Sequence, residues 1–260
     1  MIRQIKRILL IINLKAVIIS ILAVGSTYLC DRFQLTTELP LTLIATAVIF
    51  PIVFSISGAY KRREHALAEY GSIKAHGRAI YFVTRDWLDN PGDEVLQKSK
   101  QLLGDFLLAC RELFMKPIDQ MHQNEKLVYK QFSKLSRFIR EELRQKGLAT
   151  GEVSRCNQYL NKMIIAFESI KHIYQYRTPR TLKAFSNFFI ILLPILYGPH
   201  FAQLAKESAG GLNYILPVLL SLILVSLDNI QNHLENPFDQ IGEDDIRINA
   251  EKFVSGLDLE

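Results

Sequence analysis

The sequence predicts an all-α membrane protein: four transmembrane helices, with a cytoplasmic helical bundle inserted between the second and the third. Two observations carry this. Charge is absent from Leu39–Tyr60, Ala184–Ala205 and Ser208–Leu227, windows of 22, 22 and 20 residues, and about 20 apolar residues span a bilayer core. Between them, Lys61–Arg180 holds 22 Lys+Arg and 14 Asp+Glu, too polar for lipid, and its apolar residues recur at helical spacing. The whole-chain averages, 260 residues with 22% charged and 49% hydrophobic and a mean hydropathy of +0.11, merge these two populations into the likeness of a soluble protein.

The first span is read from Ala16–Cys30, extended back through Ile8–Leu14 with Lys15 placed at an interface where its stem can snorkel. A cleaved leader over Met1–Ser26 is the competing reading, but no A-x-A-like site follows the apolar stretch. The second span is Leu41–Tyr60, with Pro51 inside it and small residues Ser55, Ser57, Gly58 and Ala59 near its end. Such residues permit close helix approach. Thr46, Phe50 and Phe54 are spaced by four and share one helix face. On periodicity alone, lipid contact or helix packing explains that face more simply than a pore.

In the polar block, Val95–Met115, Asn124–Lys146 and Gly151–Arg177 are expected as helices. Asn90-Pro91-Gly92-Asp93 forms the turn before the first, and Gly147 the C-cap of the second. Their stripes include Leu102, Phe106 and Cys110; Leu127, Phe132 and Phe138; and Leu160, Phe167 and Ile173, all expected to pack a core. The third span then covers Ala184–Ala205, with His200 toward its end, and Gly210-Gly211 turns the chain into the fourth. The expected segments are thus 1–60 (N-terminal segment and spans 1–2), 61–180 (cytoplasmic block), 181–227 (spans 3–4) and 228–260 (acidic tail).

Charge sets the orientation. Arg3, Lys6 and Arg7 precede the first span and Lys61, Arg62 and Arg63 follow the second. By the positive-inside rule both termini and the basic block lie in the cytoplasm. The block carries +8 and the tail −7, and the tail is expected to pack against the block of its own or a neighbouring subunit.

Catalytic and metal motifs are missing. Six histidines show no H-x-x-x-H spacing, Cys30, Cys110 and Cys156 form no C-x-x-C pair, and no P-loop occurs. No enzyme activity, metal, cofactor or nucleic-acid partner is expected. The absence of Asp, Glu or Lys from the last three charge-free windows argues against a proton-coupled pump and suits a passive pore.

The chain resembles the bestrophins, including their bacterial members. Phe54, Ala59, Tyr60, Arg62 and Gly71 match the end of that family's second span, although Arg63 and Glu64 stand where it commonly has a tryptophan pair. Thr178-Pro179 followed by Ala184, Phe185, Phe188 and Leu192-Leu193-Pro194 matches the approach to its third span. Asn236-Pro237-Phe238 before Glu243, Asp244 and Asp245 matches the stretch after its fourth. The likeness runs in order over nearly the whole chain.

The resemblance implies a homopentameric ion channel in a bacterial inner membrane, with lipid, its own copies and permeant ions as partners. Thr46, Phe50 and Phe54 would form a hydrophobic neck, with Thr46 in place of a larger apolar residue. Arg180 would form a cytoplasmic aperture, or Thr178 if the register slips by two. An arginine ring favours anions such as chloride, while a salt bridge or a lipid headgroup explains Arg180 equally well. A cation-conducting channel and a non-conducting scaffold for a cytoplasmic partner are the alternatives. The acidic cluster of Asp239, Glu243, Asp244 and Asp245 departs from the family's calcium-binding spacing through the inserted Asp239-Gln240-Ile241, so calcium control is not expected.

Overall fold

The computed structural model describes residues 13–176, 179–207, 212–238 and 245–258. Over these residues the chain is helical: α1 (Leu14–Arg32), α2 (Leu41–Asp86), α3 (Gly92–Met115), α4 (Met121–Arg137), α5 (Thr150–Gln175), α6 (Arg180–Leu196), α7 (Gly198–Glu207), α8 (Leu212–Glu235) and the short α9 (Ala250–Ser255). The expected turn at Gly210-Gly211 lies outside the described residues. Two compact units form, Met1–Lys61 with Thr178–Glu235, and Arg62–Arg177 with Asn236–Glu260. One helix, α2, runs without a break from the first into the second. Its 46 residues make it about 69 Å long.

The first unit contains four stretches long and apolar enough to cross a membrane: Leu14–Arg32, the apolar part of Thr42–Asp86, Thr181–Leu204 and Tyr214–Glu235. Its core joins Ala16 and Ile19 of α1, Val48 and Ile52 of α2, Ile190 of α6 and Leu224 of α8. No more than 39% of any span's apolar window is buried within the chain, so most of its apolar surface faces outward, as a bilayer requires.

The third charge-free window is not one straight helix. It breaks at Tyr197 into α6 and α7. Pro199 cannot donate to Ile195 C=O four residues back, and the Ser26 hydroxyl of α1 donates to that carbonyl at 2.8 Å instead. Polar side chains commonly satisfy carbonyls that proline frees in membrane helices. Gly198 makes the approach possible: a Cβ there would lie 2.3 Å from Ser26 Oγ and 3.1 Å from its backbone carbon. His200, toward the end of the third window, accepts the Leu39 N–H on Nδ1 at 3.4 Å and packs its ring beside Tyr197 and Phe201.

In the second unit the predicted stripes are buried. Leu103, Phe106, Cys110, Phe132, Phe138, Leu160, Phe167 and Ile173 all lie in one core. Leu127 is the exception at 50% exposure, because Val128, one residue on, takes the inward position. The expected Asn124–Lys146 helix changes pitch at Phe138–Leu143, a π-helical turn. The wider turn lets Phe138, Ile139 and Leu143 all bury, and short π segments of this kind occur within α-helices. Gly147 closes it with φ +100°, the left-handed cap conformation glycine adopts freely.

The tail completes this core. Phe238 stacks on Phe114 with centroids 5.0 Å apart, the Ile246 N–H donates to Pro237 C=O at 2.7 Å, and Ile246 and Ile248 are buried. Tail acids meet the basic block: Asp258 pairs with Lys100, and Glu251 with Arg111 at 3.2 Å.

Candidate pore-lining face and the polar end of the bundle

Helix α2 presents two different faces in the first unit. Val48, Ile52, Ser55 and Ala59 are buried, whereas Phe50 and Phe54 are 60% and 61% exposed. The two rings meet edge to face with centroids 4.6 Å apart. Thr46 is also exposed, and its hydroxyl donates back to Thr42 C=O at 2.6 Å. That bond uses the hydroxyl proton and leaves the oxygen as an acceptor only. The face that sequence spacing picked out therefore carries two exposed aromatic rings beside one threonine, and one chain leaves it uncovered.

The expected aperture is placed only by its backbone. Arg180 opens α6, but its side chain and the whole of Thr178 lie outside the described residues. So do Asp239, Glu243 and Asp244 of the acidic cluster; Asp245 is half-buried. Among the described residues no three His, Cys, Asp or Glu side chains converge as metal ligands. Arg63 and Glu64, which depart from the family pattern noted in the sequence, pair with each other.

Sequence reading missed a polar cluster at one end of the membrane bundle. The charge-free windows are shorter than the helices: α1 includes Lys15, α6 includes Lys183, and α8 runs on through Asp228 to Glu235. Lys15 Nζ donates to Asp228 Oδ2 at 2.6 Å and to Asn187 Oδ1 at 3.1 Å, tying three helices together. Asp228 is 2% exposed. Beside it, Asn13 caps α1 by accepting the Ala16 N–H and donates Nδ2 to Asn229 Oδ1 at 2.9 Å. Two turns along α8, Lys183 donates to Glu235 at 2.7 Å. The available signal was the i, i+3, i+7 spacing of Asp228, Gln231 and Glu235, which puts all three on one face.

In the second unit, ionisable groups serve packing. Lys171 on α5 bonds Glu125 at 2.9 Å and Tyr129 at 2.7 Å, both on α4, and pairs with Glu168 at 2.6 Å. The lysine hydrogen bond holds the Glu125 carboxyl below its usual value, and burial, with the bond to Glu168, pushes the Tyr129 phenol up to about 12. Burial likewise pushes the Cys156 thiol up to about 12, so it stays protonated and inert. No nucleophile–base pair emerges from these groups.

No family model matches the chain, and no curated protein does. Solved structures do. A bacterial bestrophin homolog from Klebsiella pneumoniae superposes with a TM-score of 0.72 at 17% identity, over 93% of this chain and 94% of that one. A single-substitution form of the Klebsiella pneumoniae homolog gives 0.75 at 16% identity, over 94% and 95%. A membrane protein carrying one substitution gives 0.75 at 16%, over 94% and 98%. The chain has the bestrophin fold.

Proposed function

We propose that the chain is the subunit of a passive, pentameric ion channel in a bacterial inner membrane, with its termini and helical block in the cytoplasm. One observation carries the reading. The α2 face of Thr46, Phe50 and Phe54 is mostly aromatic, exposed in the single chain, and backed by a buried opposite face. Five such faces around an axis make a hydrophobic neck, which gates by dewetting rather than by moving charge. The bestrophin fold and the four membrane-length helices support the same reading. No bond-making machinery competes with it among the described residues.

Selectivity rests on Arg180. At the start of α6, a ring of five guanidinium groups raises the local anion concentration and opposes cations. The channel is therefore read as conducting small anions, with chloride as the permeant ion. Calcium plays no part in this reading.

Two measurements test it in sequence. Native mass spectrometry of the detergent-solubilised protein gives about 149 kDa for five chains of 29.8 kDa. Bilayer recording in asymmetric salt then gives a reversal potential near that of the anion, which shifts toward the cation in Arg180→Ala. A monomer or dimer, or a pentamer that passes no current, overturns the channel reading. A cation preference unchanged by Arg180→Ala overturns only the selectivity.

A further inference from the structure

The polar end of the membrane bundle contains more hydrogen-bonding groups than its ion pairs use. Lys183 with Glu235 at one level, and Lys15 bridging Asn187 to Asp228 at the other, fix α6 and α8 as antiparallel neighbours. Along α8 the two levels are seven residues apart, about 10 Å. Gln231 falls between them on the same face, and Ser186 falls between Lys183 and Asn187 on the facing helix.

Gln231 and Ser186 are both 0% exposed. The Gln231 amide oxygen, its amide nitrogen and the Ser186 hydroxyl have no hydrogen-bond partner among the described residues. These groups offer two N–H donors, one O–H donor and two acceptor oxygens. A neighbouring subunit or a lipid cannot reach a side chain that is fully enclosed by its own chain. A direct bond between Gln231 and Ser186 serves at most one of the two amide atoms. The flanking charges, two lysines, one aspartate and one glutamate, cancel, so nothing there selects an ion.

We infer that Gln231 and Ser186 bind ordered water between α6 and α8, forming a hydrated clamp that links the Lys15–Asp228 and Lys183–Glu235 pairs. Water is the occupant that fits. It is neutral, donates and accepts at once, and typically makes about three bonds to buried groups of this kind. Bridging waters hold polar groups nearly as well as direct bonds. The clamp fixes the first turns of α6 against α8, and so the backbone on which Arg180 sits, independently of what Arg180 does.

The sign of a stability change tests this. If Gln231 is truly unpartnered, Gln231→Met removes a buried polar group of similar shape and raises the melting midpoint. If it binds water, the same change strands the water's other partners and lowers the midpoint, on the order of 3 °C. Ser186→Ala is the milder second variant. Sharing a water makes the two changes non-additive, whereas independent sites add. A high-resolution map of the wild-type protein in lipid nanodiscs supplies the direct view and needs no variant. The expected result is a water feature within hydrogen-bond distance of both Gln231 and Ser186, a lowered midpoint for each variant, and a double variant less damaging than the two combined. A dry contact in the map, or a raised midpoint for Gln231→Met, overturns the inference.

Discussion

Replacing Lys15 by methionine keeps a four-atom stem and removes one charge. Its partner Asp228 is 2% exposed and receives the lysine at 2.6 Å; the substitution leaves that carboxylate in the bundle without a counter-ion. Breaking a buried pair from one side costs about 3–5 kcal/mol. Lys15 itself is 32% exposed, so water and headgroups screen the pair, and the lower value of about 3 kcal/mol applies. At about 2–4 °C per kcal/mol, the melting midpoint falls by roughly 6–12 °C. Size-exclusion chromatography of the detergent-solubilised protein after stepwise heating reads this directly. The double variant Lys15→Met with Asp228→Leu removes both charges and recovers most of the loss, because two apolar side chains replace a desolvated pair at little cost. A loss below about 1 kcal/mol in Lys15→Met, or a double variant as unstable as the two single changes added together, refutes the reasoning: the pair would then behave as an ordinary exposed salt bridge.

Three further outcomes follow from the geometry. Phe50→Ala and Phe54→Ala each widen and wet the proposed neck, so single-channel recording shows a higher open probability than wild type; indistinguishable currents place these rings against lipid instead. Gly198→Ala drives a methyl into Ser26, where the Cβ would meet Oγ at 2.3 Å and backbone carbon at 3.1 Å, and overpacking of this kind costs about 1–3 kcal/mol; the Ser26→Gly background relieves the side-chain part, so the double variant melts above Gly198→Ala alone. Lys171 depresses the Glu125 carboxyl below its ordinary 4.5. A depressed carboxylate contributes stability that is fully present above the unfolded value and is lost as pH falls through the folded one, so Glu125→Gln lowers the melting midpoint of the second unit at neutral pH and flattens the further loss of helical circular dichroism below about pH 4.5.

The legible parts of this chain are those where one strong local rule decides. Charge-free windows located the spans because a charge at the bilayer centre is expensive. Helical spacing located the core of the second unit from Leu103 to Ile173, and positive φ at Gly147 agrees with its reading as a cap. The Thr46, Phe50 and Phe54 face was legible as a face, and its exposure agrees with that; whether it lines a pore depends on neighbouring copies that one chain's pattern does not encode. The break at Tyr197 was missed because the window was read for charge alone. Pro199 marked it, and only the contact with Ser26, 169 residues away, shows how the freed carbonyl is satisfied. The π turn at Phe138–Leu143 was equally hidden, since Phe138, Ile139 and Leu143 satisfy an ordinary helical stripe nearly as well.

The acidic end of the chain carries the most instructive misreading, because its −7 charge invites treatment as one unit. The structure divides it by partner. Asp228 and Glu235 lie on α8 inside the membrane bundle and neutralise Lys15 of α1 and Lys183 of α6. Glu251 and Asp258 lie beyond Asn236 and meet Arg111 and Lys100 of α3. A lysine near the end of an apolar helix can snorkel toward water, which accounts for Lys15 alone, but a lysine facing a carboxylate on the adjacent helix also fixes register. The first pair of acids therefore sets how three membrane helices pack, while Glu251 fastens the tail to α3 through an exposed ion pair of the kind that contributes little; Asp258 instead meets a buried lysine, Lys100. Neutralising Glu251 alone should leave the melting midpoint nearly unmoved. Neutralising Asp228 removes the ion pair that ties α1 to α8 and lowers the midpoint, and the difference between the two experiments separates a charge that organises a membrane bundle from one on an exposed surface.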